Sequence, residues 1–145
     1  MPTLVVGKNW LFVPIAEAAA VVADDEGRIE PRRRYISENL LRDWREQVEE
    51  RRAEEPRDWQ SLARVVLQHE REMREEGMRF LAGTDSGVAL IYPGFSLHEE
   101  LQRLVELLGL TPAEALRAAT RDPAEFLNQE TGTVVAGKRA DLVLL

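Results

Sequence analysis

The stretch Met78-Arg79-Phe80-Leu81-Ala82-Gly83-Thr84-Asp85-Ser86-Gly87 decides how the chain is read. Residues 78–82 are a short apolar run, and a run of that length bounded by glycine predicts a buried strand. Gly83 and Gly87 free the backbone on either side of a carboxylate, so Asp85 is expected just beyond the carboxyl end of that strand. In parallel α/β folds this is where reacting groups sit. A carboxylate there can bind a metal, act as a general base or do both, and it can equally form an Asx-type turn.

Upstream, Ser37 is a candidate N-cap for a helix whose apolar face is Leu40, Leu41, Trp44 and Val48. Glu54-Glu55-Pro56 interrupts it. A second helix is predicted over residues 58–76, with Leu62, Val66, His69 and Met73 as its buried stripe and Gly77 as its stop. Residues 15–23 read as a short Ala-rich helix, 24–34 as a polar loop with Arg32-Arg33-Arg34 in solvent, and 2–6 as a strand.

Downstream, residues 88–95 form an apolar loop. Ser96 and Glu99 read as a capping box for a helix that buries Leu97, Leu101, Leu104, Val105 and Leu108. Thr111-Pro112-Ala113-Glu114 and Asp122-Pro123-Ala124-Glu125 predict two more helix starts. Short strands are expected at 132–135 and 140–145. The alternation of strands and helices predicts a parallel α/β architecture.

The chain has 145 residues, enough for one modest domain, and a formal charge of −7. Basic and acidic residues are interspersed, which argues against nucleic acid as a partner. Without cysteine the sequence has neither disulfides nor thiolate metal sites. The N-terminus lacks the pattern of a signal peptide, and the apolar runs are far shorter than the ~20 residues that span a bilayer. A cytoplasmic protein with no membrane partner is expected.

Taken in order, Gly83-Thr84-Asp85-Ser86-Gly87, Ser96-Leu97-His98-Glu99-Glu100-Leu101, Leu110-Thr111-Pro112-Ala113-Glu114-Ala115-Leu116, Ala119-Thr120, Pro123-Ala124 and Gly137-Lys138-Arg139-Ala140-Asp141-Leu142-Val143-Leu144-Leu145 resemble the C-terminal part of the metal-dependent amidohydrolase superfamily, in its imidazolonepropionase-like and prolidase-like branch. Each motif is weak alone; the ordered set over roughly residues 80–145 is specific. Residues 2–6 resemble the seventh barrel strand more loosely. The resemblance implies a partial (β/α)₈ TIM barrel, its last two β/α units over residues 1–130, followed by the start of a small β-sandwich over 131–145.

It also implies that Asp85 is the catalytic carboxylate. The matching residue in the family helps bind a divalent metal such as zinc, takes a proton from the attacking water and passes it to the leaving nitrogen. The family's other ligands are a His-x-His pair, a lysine or glutamate and further histidines. None has a counterpart here, where the two histidines are His69 and His98. A complete barrel takes ~250 residues. A truncated frame, an excised piece or one part of a split enzyme is therefore expected, acting on non-peptide C–N bonds in small amides and inactive alone, with no cofactor bound by this chain by itself.

His98, just inside the helix start, is a candidate substrate contact, against a backbone-bonded helix-terminal histidine. Ser86 is a candidate to orient Asp85 or touch substrate. His69 is expected to pack and hydrogen-bond within the protein. Tyr92 and Phe95 either line a pocket or pack the loop, and Trp10, Trp44 and Trp59 are expected to be packing residues. No nucleophile-elbow or phosphate-loop pattern is present. The alternative function is a non-catalytic α/β association module that pairs with itself or completes a partner barrel through unpaired strand edges.

Overall fold

Helix, not strand, takes up the regular part of this chain. The computed structural model describes residues 2–54 and 57–142. In order along them come α1 (Leu4–Val6), a wide π-type turn (Gly7–Leu11), α2 (Ile15–Ala23), a 3₁₀ turn (Pro31–Tyr35), α3 (Glu38–Ala53), α4 (Trp59–Glu75), α5 (Ser96–Leu108), α6 (Pro112–Ala118) and α7 (Arg121–Phe126).

The expected partial TIM barrel and β-sandwich are therefore overturned: among the described residues there is no strand, no sheet and no barrel. Residues 2–6 enter α1 instead, and 132–135 and 140–142 form turns and irregular chain, leaving Val134 and Leu142 exposed. Residues 143–145 of the last expected strand lie outside the described residues, as do Glu55 and Pro56 of the expected helix break. The decisive stretch 78–82 is irregular. Phe80 and Ala82 pack on α5 and α6, and the Ala82 N–H donates to the Ala118 carbonyl at 2.8 Å. A strand exists only by exchanging backbone hydrogen bonds with a neighbour, and this run has helices around it.

Local signals chose the helix starts well where a side chain lies one turn from the amide it satisfies. Ser37 Oγ accepts from the Leu40 N–H, and Asp58 Oδ1 from the Ser61 N–H at 3.0 Å. Thr111 and Glu114 complete a reciprocal capping box. Gly77, at φ +82°, ends the second long helix as expected, with the Met78 N–H returning to the Met73 carbonyl. Two other expected boxes do not form. Ser96 Oγ accepts from the Tyr92 N–H rather than capping its own helix, and Glu99 turns to Arg32 and Asn9. Glu125 pairs with Arg121 and Arg79.

The stripe expected to be buried on α4 faces outward: Leu62 and Val66 are half exposed and His69 is exposed. The His69 side chain makes no hydrogen bond among the described residues, against the expectation of a packed, hydrogen-bonded one. Leu67 and Glu70 face the protein instead. Leu97 likewise stays partly exposed at the start of α5, while Leu104 and Leu108 are buried.

Two apolar clusters result. One joins α2 and α3 to Ala89, Leu90 and Tyr92 around Trp44 and Leu41, both fully buried. The other joins α5 and α6 around Leu104 and Ala118. Glu100, fully buried on α5, ties down the N-terminal segment by accepting the Val5 N–H at 2.8 Å. Burial raises its carboxyl, with the Val5 N–H pulling the other way, and burial followed by the charge of Glu100 raises Glu70. The folded chain thus holds these protons more tightly than the unfolded chain. Their stabilising contribution is complete below the ordinary glutamate value of about 4.3 and is lost as pH rises through the raised folded values. Glu100→Gln keeps an acceptor for Val5 but cannot ionise. Relative to wild type it should gain stability as pH rises from about 4 to about 7. Urea denaturation at both pH values measures this, and a constant difference between the two proteins would refute it.

Candidate functional site

Asp85 lies on a loop that the rest of the fold clamps. Its backbone is left-handed (φ +53°), a conformation uncommon for residues other than glycine but one that aspartate tolerates. Neither Gly83 nor Gly87 has positive φ, so the sharp turn is made by Asp85 itself. The Val88 N–H donates to the Asp85 carbonyl at 2.9 Å and closes the turn. Five residues on, Leu90 is also left-handed (φ +63°) and only 5% exposed. For so bulky a side chain that is strain, and burial holds it in place.

The clamp comes from α3. The Gln47 side-chain amide donates to the Gly87 carbonyl and accepts from the Ala89 N–H, each at 2.9 Å. Beyond it Ala89, Leu90, Ile91 and Tyr92 are buried, with Trp44 of α3 edge-on to Tyr92 at 5.2 Å between ring centroids. The loop is therefore fixed while its tip is open: Asp85, Ser86 and Gly87 are all exposed. Among the described residues no hydrogen bond or ion pair engages the Asp85 carboxylate, so its oxygens take no part in an Asx turn.

His98 is exposed on the first turn of α5, with its backbone N–H on the Phe95 carbonyl at 3.1 Å. Neither Ser86 nor His98 is hydrogen-bonded to Asp85. No group of three His, Asp or Glu side chains is placed to hold a metal ion among the described residues. Of the two aromatics after Asp85, Tyr92 packs inside and Phe95 rests against Tyr35 near the surface. Trp10 and Trp44 are buried, as expected of packing residues.

What the sequence did not announce is the ionic brace behind this loop. Arg32 binds Glu30 with both arms of its guanidinium, at 2.9 and 2.8 Å, reaches Glu99 of α5 at 2.9 Å and lies 4.5 Å over the Tyr92 ring. Asn9 holds the other oxygen of Glu99 at 2.6 Å. The hydrogen bond to Glu30 raises the Arg32 guanidinium, while Arg32 lowers the Glu30 carboxyl; burial pushes the Tyr92 phenol up. Arg33 is buried and meets Asp25 at 3.1 Å. The arginine run is thus not a solvated loop, though Arg34 remains exposed. Three sequence-distant segments, around Asn9, Arg32 and Glu99, are locked together, and only the spacing of Glu30 and Arg32 hinted at it.

The Asp85 loop, the brace at Glu99 and the helices from α3 onward all fall within residues 35–145, the segment that matches the amidohydrolase family. No curated protein and no solved structure matches the chain. With that match spanning more than half of its length, the chain belongs to the amidohydrolase family.

Proposed function

We propose that this chain contributes Asp85, as proton-handling carboxylate, to a metal-dependent amidohydrolase of the imidazolonepropionase-like and prolidase-like branch that cleaves non-peptide C–N bonds in small amides or lactams. The observation that supports this is the placement of Asp85: an exposed carboxylate, unpartnered among the described residues, at the left-handed tip of a loop that Gln47 fastens by two hydrogen bonds at Gly87 and Ala89, inside the family match. Such a carboxylate takes a proton from an attacking water and delivers it to a leaving nitrogen. Exposed Ser86 and His98 stand in the same segment as substrate contacts. The cysteine-free composition accords with action in the cytoplasm.

Amidohydrolases are in general metal-dependent. The residues present do not fit a metal by themselves, since one open carboxylate falls short of the three or four protein ligands of a zinc site. The remaining ligands then come from polypeptide outside these 145 residues, and the chain alone is inactive. Calorimetric titration with zinc should show no stoichiometric binding by the chain alone, whereas its native assembly should open a lactam or hydrolyse a small non-peptide amide, uncovering an amine in either case, and lose that activity to a chelator. Tight one-to-one zinc binding by the chain alone, or activity indifferent to chelation, would overturn the reading.

The apolar residues Leu62, Val65 and Val66, exposed along α4, support a second reading in which the chain associates with itself. Sedimentation at micromolar concentration should then show a dimer, and a monomer with a cooperative melt would dismiss it.

A further inference from the structure

On a chain of net charge −7, four arginines line one cleft. It lies between the end of α4, residues 77–80, α6 and α7, encloses about 380 Å³ and is lined by Arg74, Arg79, Arg117 and Arg121 against the carboxylates of Glu114 and Asp122. Asp85 does not line it, so the cleft stands apart from the site described above. We propose that this cleft binds a small organic dianion, either a phosphate monoester or a dicarboxylate.

Three of the arginines are already held in place. Arg74 donates to the Gly109 carbonyl at 3.0 Å and approaches Glu114 at 3.5 Å. Arg79 and Arg121 share Glu125, at 3.0 and 2.6 Å. Each guanidinium has five N–H donors in a planar fork, so these contacts position the groups while leaving donors for a ligand. Arg117 makes no side-chain hydrogen bond or ion pair among the described residues, and its charge is the one most available to an anion. Glu114, Asp122 and Glu125 offset three of the four positive charges, so the cleft keeps a positive excess centred on Arg117 that an anion would meet. Phe80 and Leu110, on the apolar side of the cleft, suit a ligand with a carbon body rather than a bare inorganic ion.

The test titrates the full chain calorimetrically, at low ionic strength, with phenyl phosphate, succinate and inorganic phosphate. At least one organic dianion should bind one-to-one and weaken as salt is added. A response to phenyl phosphate alone assigns a phosphate monoester, and a response to succinate alone a dicarboxylate. Arg117→Gln should lower that affinity about tenfold. The same variant should leave the melting temperature of the ligand-free chain unchanged, because Arg117 is exposed and unpaired. Silence toward both organic dianions, undiminished affinity in Arg117→Gln, or inorganic phosphate binding as tightly as phenyl phosphate would each overturn the proposal.

Discussion

Asp85→Asn, made in the native assembly, is expected to lower turnover of a small amide substrate by about 10²–10⁴-fold, the range attributed to a positioned general base. The substitution is unusually clean. Asparagine tolerates the left-handed backbone as aspartate does, so the turn at φ +53° survives. The side chain is exposed and no hydrogen bond or ion pair among the described residues uses it, so folding has nothing to lose. What disappears is the ability to take up and release a proton. The loss should therefore fall on kcat with a much smaller change in KM, and the melting temperature should match wild type. A near-normal rate would remove Asp85 from the chemistry, and a matching loss of thermal stability would make its role structural.

Trp44→Ala should be the most damaging core substitution. The indole is fully buried, packs edge-on to Tyr92 and joins α3 to the loop that carries Asp85. Truncating a buried tryptophan to alanine costs about 3–5 kcal/mol. A domain of this size has about 5–15 kcal/mol in all, so a large part of the stability is removed. Trp44 Nε1 has no acceptor among the described residues, so Trp44→Phe forfeits no hydrogen bond there and should cost far less. Urea denaturation followed by near-ultraviolet circular dichroism measures both variants. A loss under about 1 kcal/mol in Trp44→Ala would show that the α3–loop junction is not packed as described.

The parts of the fold that were legible in advance are those decided within one helical turn. The Ser37 cap, the reciprocal Thr111–Glu114 pair, the Gly77 stop and the face of Leu41, Trp44 and Val48 each involve residues close in sequence whose geometry the helix itself dictates. Family membership was legible for a related reason, since the ordered motifs from Gly83 onward lie within the region that carries the match. The sequence singled out Asp85 as a residue but not the surface that carries it. Its left-handed turn, the two-sided hold by Gln47 and the brace of Arg32 on Glu99 connect segments separated by 42 and 67 positions, which no local pattern encodes.

The strands fail for the complementary reason. An apolar run such as 78–82 carries the composition of a strand, but a strand is a relation between two chains of hydrogen-bonding groups, and its partner is not written in its own residues. With helices α5 and α6 as its neighbours, the same run packs its side chains and satisfies Ala82 on the Ala118 carbonyl. By itself, then, the sequence determined the helix ends at Ser37, Gly77 and Thr111 and the family. The tertiary structure alone decided which apolar face is covered, which arginines are buried and whether a β-like run becomes β, because those outcomes depend on what lies across the gap rather than along the chain.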